Sequence, residues 1–308
     1  MLSEYRGRLA PSPTGYLHLG HARTFWVAHQ RAHAAKGKLV FRNEDLDVHR
    51  CKPEFVTAMY EDLHWLGLSW NEGPDVGGDF GPYSQSQRRD FYLEAWRRLR
   101  DGGFIYPCTC SRKDLERALS APHEDIEVTS RAASPGEAQT EDDELHYPGT
   151  CRHKITQAQQ WSAPAGVSWR FKVPDYSLVT FSDRYFGNQQ FMAGRDFSDF
   201  LVWRRDDIPA YQLAVVVDDE AMRISEVVRG ADLLRSTARQ LLLIDALGYA
   251  VPNYFHCPLL RDEKNVRLAK RHDVLSLRTL MAQGVDPESL RRQFAGEREL
   301  CQQKVETA

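Results

Sequence analysis

The sequence lacks any long apolar run. The longest one near the C-terminal third, residues 241–244, is cut by Asp245, far short of the roughly 20 apolar residues that a membrane-spanning helix needs. The first residues, MLSEYRGR, hold no apolar stretch of a secretory leader, so the chain is expected in the cytoplasm. Charge of one sign is missing too. Forty basic against 43 acidic residues give a net charge of −3, which excludes a protein that holds nucleic acid by bulk charge alone. Two Arg-rich stretches, RRDFYLEAWRRLR and RGADLLRSTARQ, are the local candidates for such contacts. Cysteine is sparse, six in 308 residues, too few for a disulfide framework. No internal repeat is visible. What remains, 42% hydrophobic and 27% charged residues, is the balance of a globular protein large enough for a sizeable core and two structural units.

Along the chain, the apolar YRGRLAP, a loop, the helical GHARTFWVAHQRAHAAKG closed by Gly37, KLVFRNED, and KPEFVTAMYEDLHWLGL with Pro53 in its first turn make a βαβα order. That order argues for a parallel, doubly wound α/β sheet. Residues 88–100 continue as an amphipathic helix, and FIYPCTC reads as a short strand entering a turn. Residues 120–144 are acidic, rich in Ala, Ser and Pro and without apolar periodicity, which predicts an exposed, dispensable insertion. Beyond it VSWRFKVPD, LVTFSD and FGNQQFM read as short strands. PAYQLAVVVDDEAMRISEVVRGADLL reads as a continuous buried strand, a turn, a second strand and a helix start. Two short helices, over 275–281 and 287–294, close the chain.

The loop RLAPSPTGYLHLGHA contains no cysteine, no nucleophilic serine elbow and no carboxylate pair. A loop between a first strand and a helix starting near Gly20 lies at the carboxyl edge of a parallel sheet, where open α/β folds bind ligands. Helix N-terminal amides attract anions there, Gly15 and Gly20 let a phosphate approach the backbone, and His18 and His21 add donors. Half a metal site, or a plain turn, are the competing readings of the two histidines. Cys108, Cys110 and Cys151 suggest a structural Zn2+ that wants a fourth ligand from Tyr147, His146 or His153; generic zinc chemistry favours histidine. Cys51, Cys257 and Cys301 are expected to be unligated.

APSPTGYLHLGHA resembles the signature loop of class I aminoacyl-tRNA synthetases, with HLGH in the place of that family's His-Ile-Gly-His. FRNEDLD, GPYSQSQRRDFY, AYQLAVVVDD, EVVRGADLL and VRLAKRH follow in the order found in the glutamyl branch. The resemblance implies a Rossmann-type doubly wound parallel sheet with an inserted zinc-containing subdomain and a short helical C-terminal part. Its parts would be a first catalytic half over 1–90, the insertion over 91–195, a second catalytic half over 196–255 and a helical segment with the lysine loop over 256–308.

The same resemblance implies that ATP with Mg2+ is held by Pro11, Gly20, His18, His21 and Lys270, of which His18, His21 and Lys270 are catalytic. Glutamate would be held by Arg8, Ser12, Glu44, Tyr211 and Arg229. In VRLAKRH, Arg267 and Ala269 replace the family's lysine and serine, leaving Lys270. After Arg271 the sequence has no room for an anticodon-binding domain. That shortness, and the pattern Cys108, Cys110, Tyr147, Cys151, resemble the glutamyl-Q tRNA(Asp) synthetases, in which tyrosine is the fourth zinc ligand. The implied activity is glutamate activation and transfer to queuosine at the wobble position of tRNA(Asp), by a monomer, with Tyr83 and Trp203 as suggested contacts for the base. A shortened glutamyl-tRNA synthetase charging the 3′ end, a non-catalytic glutamate- or tRNA-binding paralogue, and a nucleotidyltransferase for another acid are the alternatives.

Overall fold

The computed structural model describes residues 4–115, 146–260 and 276–296. The acidic stretch over 120–144 and the RLAKR segment with Lys270 lie outside the described residues. Strands β1 (Arg6–Leu9) and β2 (Lys38–Phe41) pair in parallel, Arg6 opposite Lys38. Ser225 ties β1 to β8 (Glu226–Gly230): its N–H donates to the Arg6 carbonyl at 2.9 Å and its hydroxyl accepts from the Arg6 N–H at 2.8 Å. β8 runs parallel to β9 (Asn253–Cys257), and β9 parallel to β5 (Leu178–Asp183), with β6 (Gly187–Met192) as an antiparallel edge. The spatial order is thus β2, β1, β8, β9, β5, β6. A second, antiparallel sheet orders β3 (Ile105–Cys108), β4 (Ser168–Phe171) and β7 (Phe200–Trp203).

Helices cover both faces of the parallel sheet, whose central strands β1, β8 and β9 are buried almost throughout. On one side α1 (Leu19–Ala34), α2 (Pro53–Trp65), α6 (Leu277–Ala282) and α7 (Pro287–Gly296) bury Trp26, Val27, Leu63, Leu277 and Phe294 against Leu9, Phe41, Val228 and Phe255. α1 ends where Lys36 takes a positive φ of 52°; at the next residue a Cβ on Gly37 would lie 2.4 Å from the Tyr5 carbonyl oxygen, so only glycine lets the chain turn back beside β1. On the other side lie α3 (Arg89–Asp101), α4 (Tyr211–Ala221) and α5 (Leu234–Leu247), sharing one core with the antiparallel sheet around Trp96, Trp169 and Trp203. α3 buries Tyr92, Ala95, Trp96 and Leu99, an i, i+3, i+4, i+7 stripe that marks an amphipathic helix.

The segment YQLAVVVDDEA corrects the sequence reading: it is the helix α4, not a strand. Residues 212–219 are buried without a break, so neither a period of 2 nor of 3.6 survives in their polarity, and a run of three valines then mimics a core strand. Its length, 11 residues, is what distinguishes it from the usual strand. β7 and β9 carry no signal of their own in the sequence reading. Among the described residues no helix is long and apolar enough to cross a membrane.

Candidate active site and candidate metal centre

The carboxyl end of β1 opens into residues 10–18. The Leu9 carbonyl accepts from Arg42 N–H at 2.8 Å and the Pro11 carbonyl from Glu44 N–H at 3.1 Å, so residues 42–44 prolong the parallel ladder and fix the loop. Pro11 is buried and Ser12 exposed. His18 caps α1: its Nδ1 accepts from Gly20 N–H at 3.1 Å and His21 N–H at 3.4 Å. A Cβ on Gly20 would stand 3.0 Å from the His18 ring, so glycine is what lets the imidazole fold over the first turn. The His18 and His21 rings stack with centroids 3.7 Å apart. No acidic side chain lies in that turn, which leaves the positive end of the helix dipole uncancelled. The backbone of His18 also pairs with Ser276, and Leu277 N–H donates to the Leu17 carbonyl at 2.8 Å, anchoring the start of α6 on this loop.

Behind the loop the structure draws Arg8, Glu44, Tyr211 and Arg229 together. Arg8, on β1, donates through Nη1 to the Val228 carbonyl at 2.6 Å, and its Nε faces Asp219 at 3.7 Å. Asp219 also holds Arg42 Nη1 at 2.7 Å, and Arg42 reaches Glu44 Oε1 with Nη2 at 3.0 Å. One residue earlier on α4, Asp218 accepts from Arg88 Nε at 2.6 Å, Gln85 Nε2 at 2.7 Å and the Tyr92 hydroxyl at 3.0 Å. Burial holds the Arg8 guanidinium below the ordinary arginine value; Asp219 opposes this, while Arg42 and Arg229 add to it. Glu44 is pushed up to about 7, because burial outweighs the pull of Arg42 and Arg8. Tyr211, the first residue of α4, is half-buried and near enough to act electrostatically on Arg8.

Arg8 Nε and Arg229 Nη1 are buried with no hydrogen-bond partner among the described residues. Two such donors, on guanidinium groups near enough to act on one another, fit an acceptor carried in by a ligand, since a buried unpaired donor costs about 1–3 kcal/mol. Arg42, Arg88, Asp218 and Asp219 escaped the sequence reading as site residues. For Arg42, Asp218 and Asp219 a signal was present in FRNED and VVVDDE, charges set directly after apolar runs; Arg88, in SQSQRRD, had none of that kind.

The sulfurs of Cys108, Cys110 and Cys151 lie within 4.8 Å of one another. The Tyr147 hydroxyl joins them, 3.4 Å from Cys108 Sγ and 3.8 Å from Cys110 Sγ, and it accepts from Cys151 N–H at 2.8 Å. Neither His146 nor His153 is part of the cluster. Burial pushes the Cys151 thiol up, but the Thr109 N–H and the Tyr147 and Cys110 side chains outweigh it and bring the thiol down to about 6, toward the thiolate that binds metal. Three thiols this close together could hold a metal ion, and the Tyr147 phenol oxygen lies beside them. Cys51 and Cys257 are free and stand outside the cluster; Cys301 lies outside the described residues.

The catalytic-domain model of the class I tRNA synthetases of the E and Q type matches residues 4–299. The chain belongs to this family. Among its relatives is a glutamyl-Q tRNA(Asp) synthetase of Symbiobacterium thermophilum, 44% identical over 92% of this chain and 83% of the relative. Another of that name, from Nitratidesulfovibrio vulgaris, is 45% identical over 91% and 82%. Glutamate--tRNA ligase 2 of Nitrosococcus oceani is 39% identical over 92% of this chain and 57% of its own length. A solved glutamate-tRNA synthetase from Elizabethkingia anophelis superposes with a TM-score of 0.71 at 27% identity, covering 87% of this chain; the chain spans 53% of that structure. A Mycobacterium tuberculosis methionyl-tRNA synthetase shares the fold, with a TM-score of 0.52 at 12% identity.

Within this synthetase fold two suggested base contacts are corrected. Tyr83 is buried, its hydroxyl donating to Glu72 at 2.7 Å, and Trp203 is fully buried, donating to Asp207 at 3.1 Å. A ring packed in the core has no free face for stacking. The Arg-rich stretches are not open basic faces either: Arg88 is buried on Asp218, Arg239 is buried, and Arg89, Arg97 and Arg100 pair with Asp207, Glu94 and Asp101. Arginine spaced along an amphipathic helix reads as a patch in sequence, while the fold pairs Arg88, Arg89, Arg97 and Arg100 with carboxylates and buries Arg229 and Arg239.

Proposed function

We propose that this synthetase-family chain activates L-glutamate with ATP and transfers the glutamyl group to queuosine at the wobble position of tRNA(Asp). The observation that carries the amino acid assignment is the pair of buried guanidinium nitrogens on Arg8 and Arg229 that have no hydrogen-bond partner among the described residues, Arg8 Nε facing Asp219 at 3.7 Å, beside Glu44 and Tyr211. Guanidinium groups suit carboxylates, a buried carboxylate suits an ammonium, and glutamate carries two of the former and one of the latter. In this reading Arg8 and Arg229 take carboxylates, Glu44 the amino group, and Ser12 and Tyr211 contribute hydroxyls. Pro11, Gly20, His18 and His21 would border the nucleotide, and Lys270, outside the described residues, is assigned by resemblance to the pyrophosphate with Mg2+. A glutamate carboxylate oxygen attacks the α-phosphorus and pyrophosphate leaves, so no protein nucleophile is needed; positioning and charge stabilisation are the protein's share. A hydroxyl of the acceptor then attacks the acyl carbon and AMP departs. Cys108, Cys110, Tyr147 and Cys151 would hold a structural Zn2+.

The acceptor assignment rests on the two relatives at 44% and 45% identity that carry the glutamyl-Q tRNA(Asp) synthetase name. Labelled glutamate, ATP and tRNA(Asp) lacking its 3′-terminal adenosine test it, with and without queuosine. Label is expected in the queuosine-containing tRNA alone. Label only when the 3′ adenosine is restored would assign the chain to 3′ charging, and glutamate-dependent pyrophosphate exchange with no transfer to either would reject both acceptors.

Glu44 also gives the reaction a pH dependence. With its carboxyl pushed up to about 7 by burial, Glu44 gains a proton below that pH and loses its attraction for the substrate's ammonium, which stays charged. The kcat/KM for glutamate, which reports the free enzyme, is expected to fall up to tenfold per unit below about pH 7. The kcat should fall less, because a bound ammonium draws the carboxyl back down. Profiles of wild type and Glu44→Gln from pH 5.5 to 8.5 check this; an acidic limb that persists in the variant assigns it to another group.

A further inference from the structure

Arg229 does not hold its own position. On β8 it lies in register with His256 on β9, and β9 is flanked by β5, whose last residue is Asp183. The three side chains connect across these strands. The Asp183 carboxylate stands 2.7 Å from His256 Nδ1 and also accepts the His256 backbone N–H at 3.0 Å. Its other oxygen accepts from Tyr185 N–H at 3.0 Å and Phe186 N–H at 2.8 Å, so the carboxylate is itself fixed. A carboxylate accepts only, which puts the imidazole proton on Nδ1 and leaves Nε2 as an acceptor. Arg229 Nε donates to that Nε2 at 3.2 Å. Arg229 Nη2 donates to the Thr237 hydroxyl at 2.8 Å, which itself stands 3.1 Å from both the Leu233 carbonyl and His256 Nε2 and can give its one proton to either. With Nε2 an acceptor, both the Arg229 Nε–H and the Thr237 hydroxyl can point to it, and Arg229 Nη1 is left without a hydrogen-bond partner among the described residues.

We propose that Asp183 and His256 are positioning residues that set the orientation of Arg229 and, through it, the affinity for a carboxylate of the substrate. The inference rests on the reading of Arg229 as a glutamate-binding residue. His256 touches no substrate in this scheme; it acts by presenting one acceptor at one place. Burial, with Arg229 and Arg8 nearby, pushes the ring down to about 4 against the pull of Asp183, so it stays neutral and keeps its acceptor lone pair throughout the working range. A protonated ring, or one with its proton on Nε2, would set a donor against the Arg229 donor and turn the guanidinium away.

Four variants assayed by glutamate-dependent pyrophosphate exchange test the relay. His256→Leu removes the acceptor and is expected to raise the KM for glutamate about 10- to 100-fold, the range for a hydrogen bond on a charged group, with the KM for ATP unchanged and kcat nearly so. His256→Gln returns a carbonyl oxygen near the place of Nε2 and is expected to recover most of the loss. Asp183→Asn keeps the packing but offers a donor to Nδ1, which moves the ring proton to Nε2; the glutamate KM should rise although the ring remains. This variant decides the matter if His256→Leu does not fold. An unchanged glutamate KM in Asp183→Asn, or His256→Gln as impaired as His256→Leu at equal melting temperature, overturns the relay. Arg229→Ala separates the two ideas: a raised glutamate KM there, with no effect at His256 or Asp183, overturns the relay alone, whereas no effect of Arg229→Ala overturns the site reading and the relay with it.

Discussion

Arg8→Leu should lower the kcat/KM for glutamate in pyrophosphate exchange by about 10³-fold, the upper part of the 2–5 kcal/mol that truncating one member of a buried charge pair costs. Two losses combine. A carboxylate of the substrate loses its cation, and Asp219, 3.7 Å from Arg8 Nε, is left with Arg42 alone in a buried site. Arg8→Lys should recover only a minor part, because an ammonium on a flexible stem cannot hold the Val228 carbonyl and a carboxylate with the fixed fork of a guanidinium. The KM for ATP and a thermal melt measured on the same samples separate a lost glutamate contact from a lost fold. A variant that melts like wild type and keeps its glutamate kcat/KM would remove Arg8 from the binding site.

The second large effect lies in the cysteine cluster. Purified wild type is expected to carry about one zinc per chain, and Cys151→Ala essentially none. Structural zinc contributes on the order of 10 kcal/mol to small zinc domains. Here part of that is replaced by the core that the antiparallel sheet shares with α3, α4 and α5, so a loss of about 5 kcal/mol, or roughly 10–20 °C in melting temperature, is expected. Tyr147→Phe discriminates the fourth ligand. It deletes one oxygen that stands 3.4 Å from Cys108 Sγ, and metal affinity measured by chelator competition should fall at least tenfold. His146→Ala and His153→Ala should leave it unchanged. Full zinc affinity in Tyr147→Phe would reject tyrosine as a ligand.

How much of this was legible beforehand differs by element, for physical reasons. The strand, loop and helix at the N-terminus could be read because glycine and proline at a strand's end, followed by a helical pattern, leave few conformations. The cysteine cluster could be read because thiols are rare and their spacing is local; its fourth member was not decided by spacing, since His146 and Tyr147 are adjacent and only the backbone's path turns the phenol toward the sulfurs and the imidazole away. α4 was misread because burial on every side erases periodicity. The Arg42–Asp219–Arg8 chain was invisible for a different reason: its members come from the residue after β2, from α4 and from β1, and nothing in any one segment announces the other two. The same holds for Asp183, His256 and Arg229, which three parallel strands bring side by side from positions 73 and 27 residues apart.

The cap on α1 has a consequence for what the opening loop can discriminate. The Gly20 and His21 amides are already bonded to the His18 imidazole, so an anion arriving at the helix end does not fill a gap; it exchanges with an acceptor that is already there. The imidazole sets a threshold. On the proposed function, a phosphate, with several strong acceptor oxygens, would be better able to make that swap than a weakly basic or singly charged solute, and would release a histidine beside it. The loop thereby stays ordered before its ligand arrives, and the heat of binding at these amides is the difference between two hydrogen-bond acceptors rather than the strength of one.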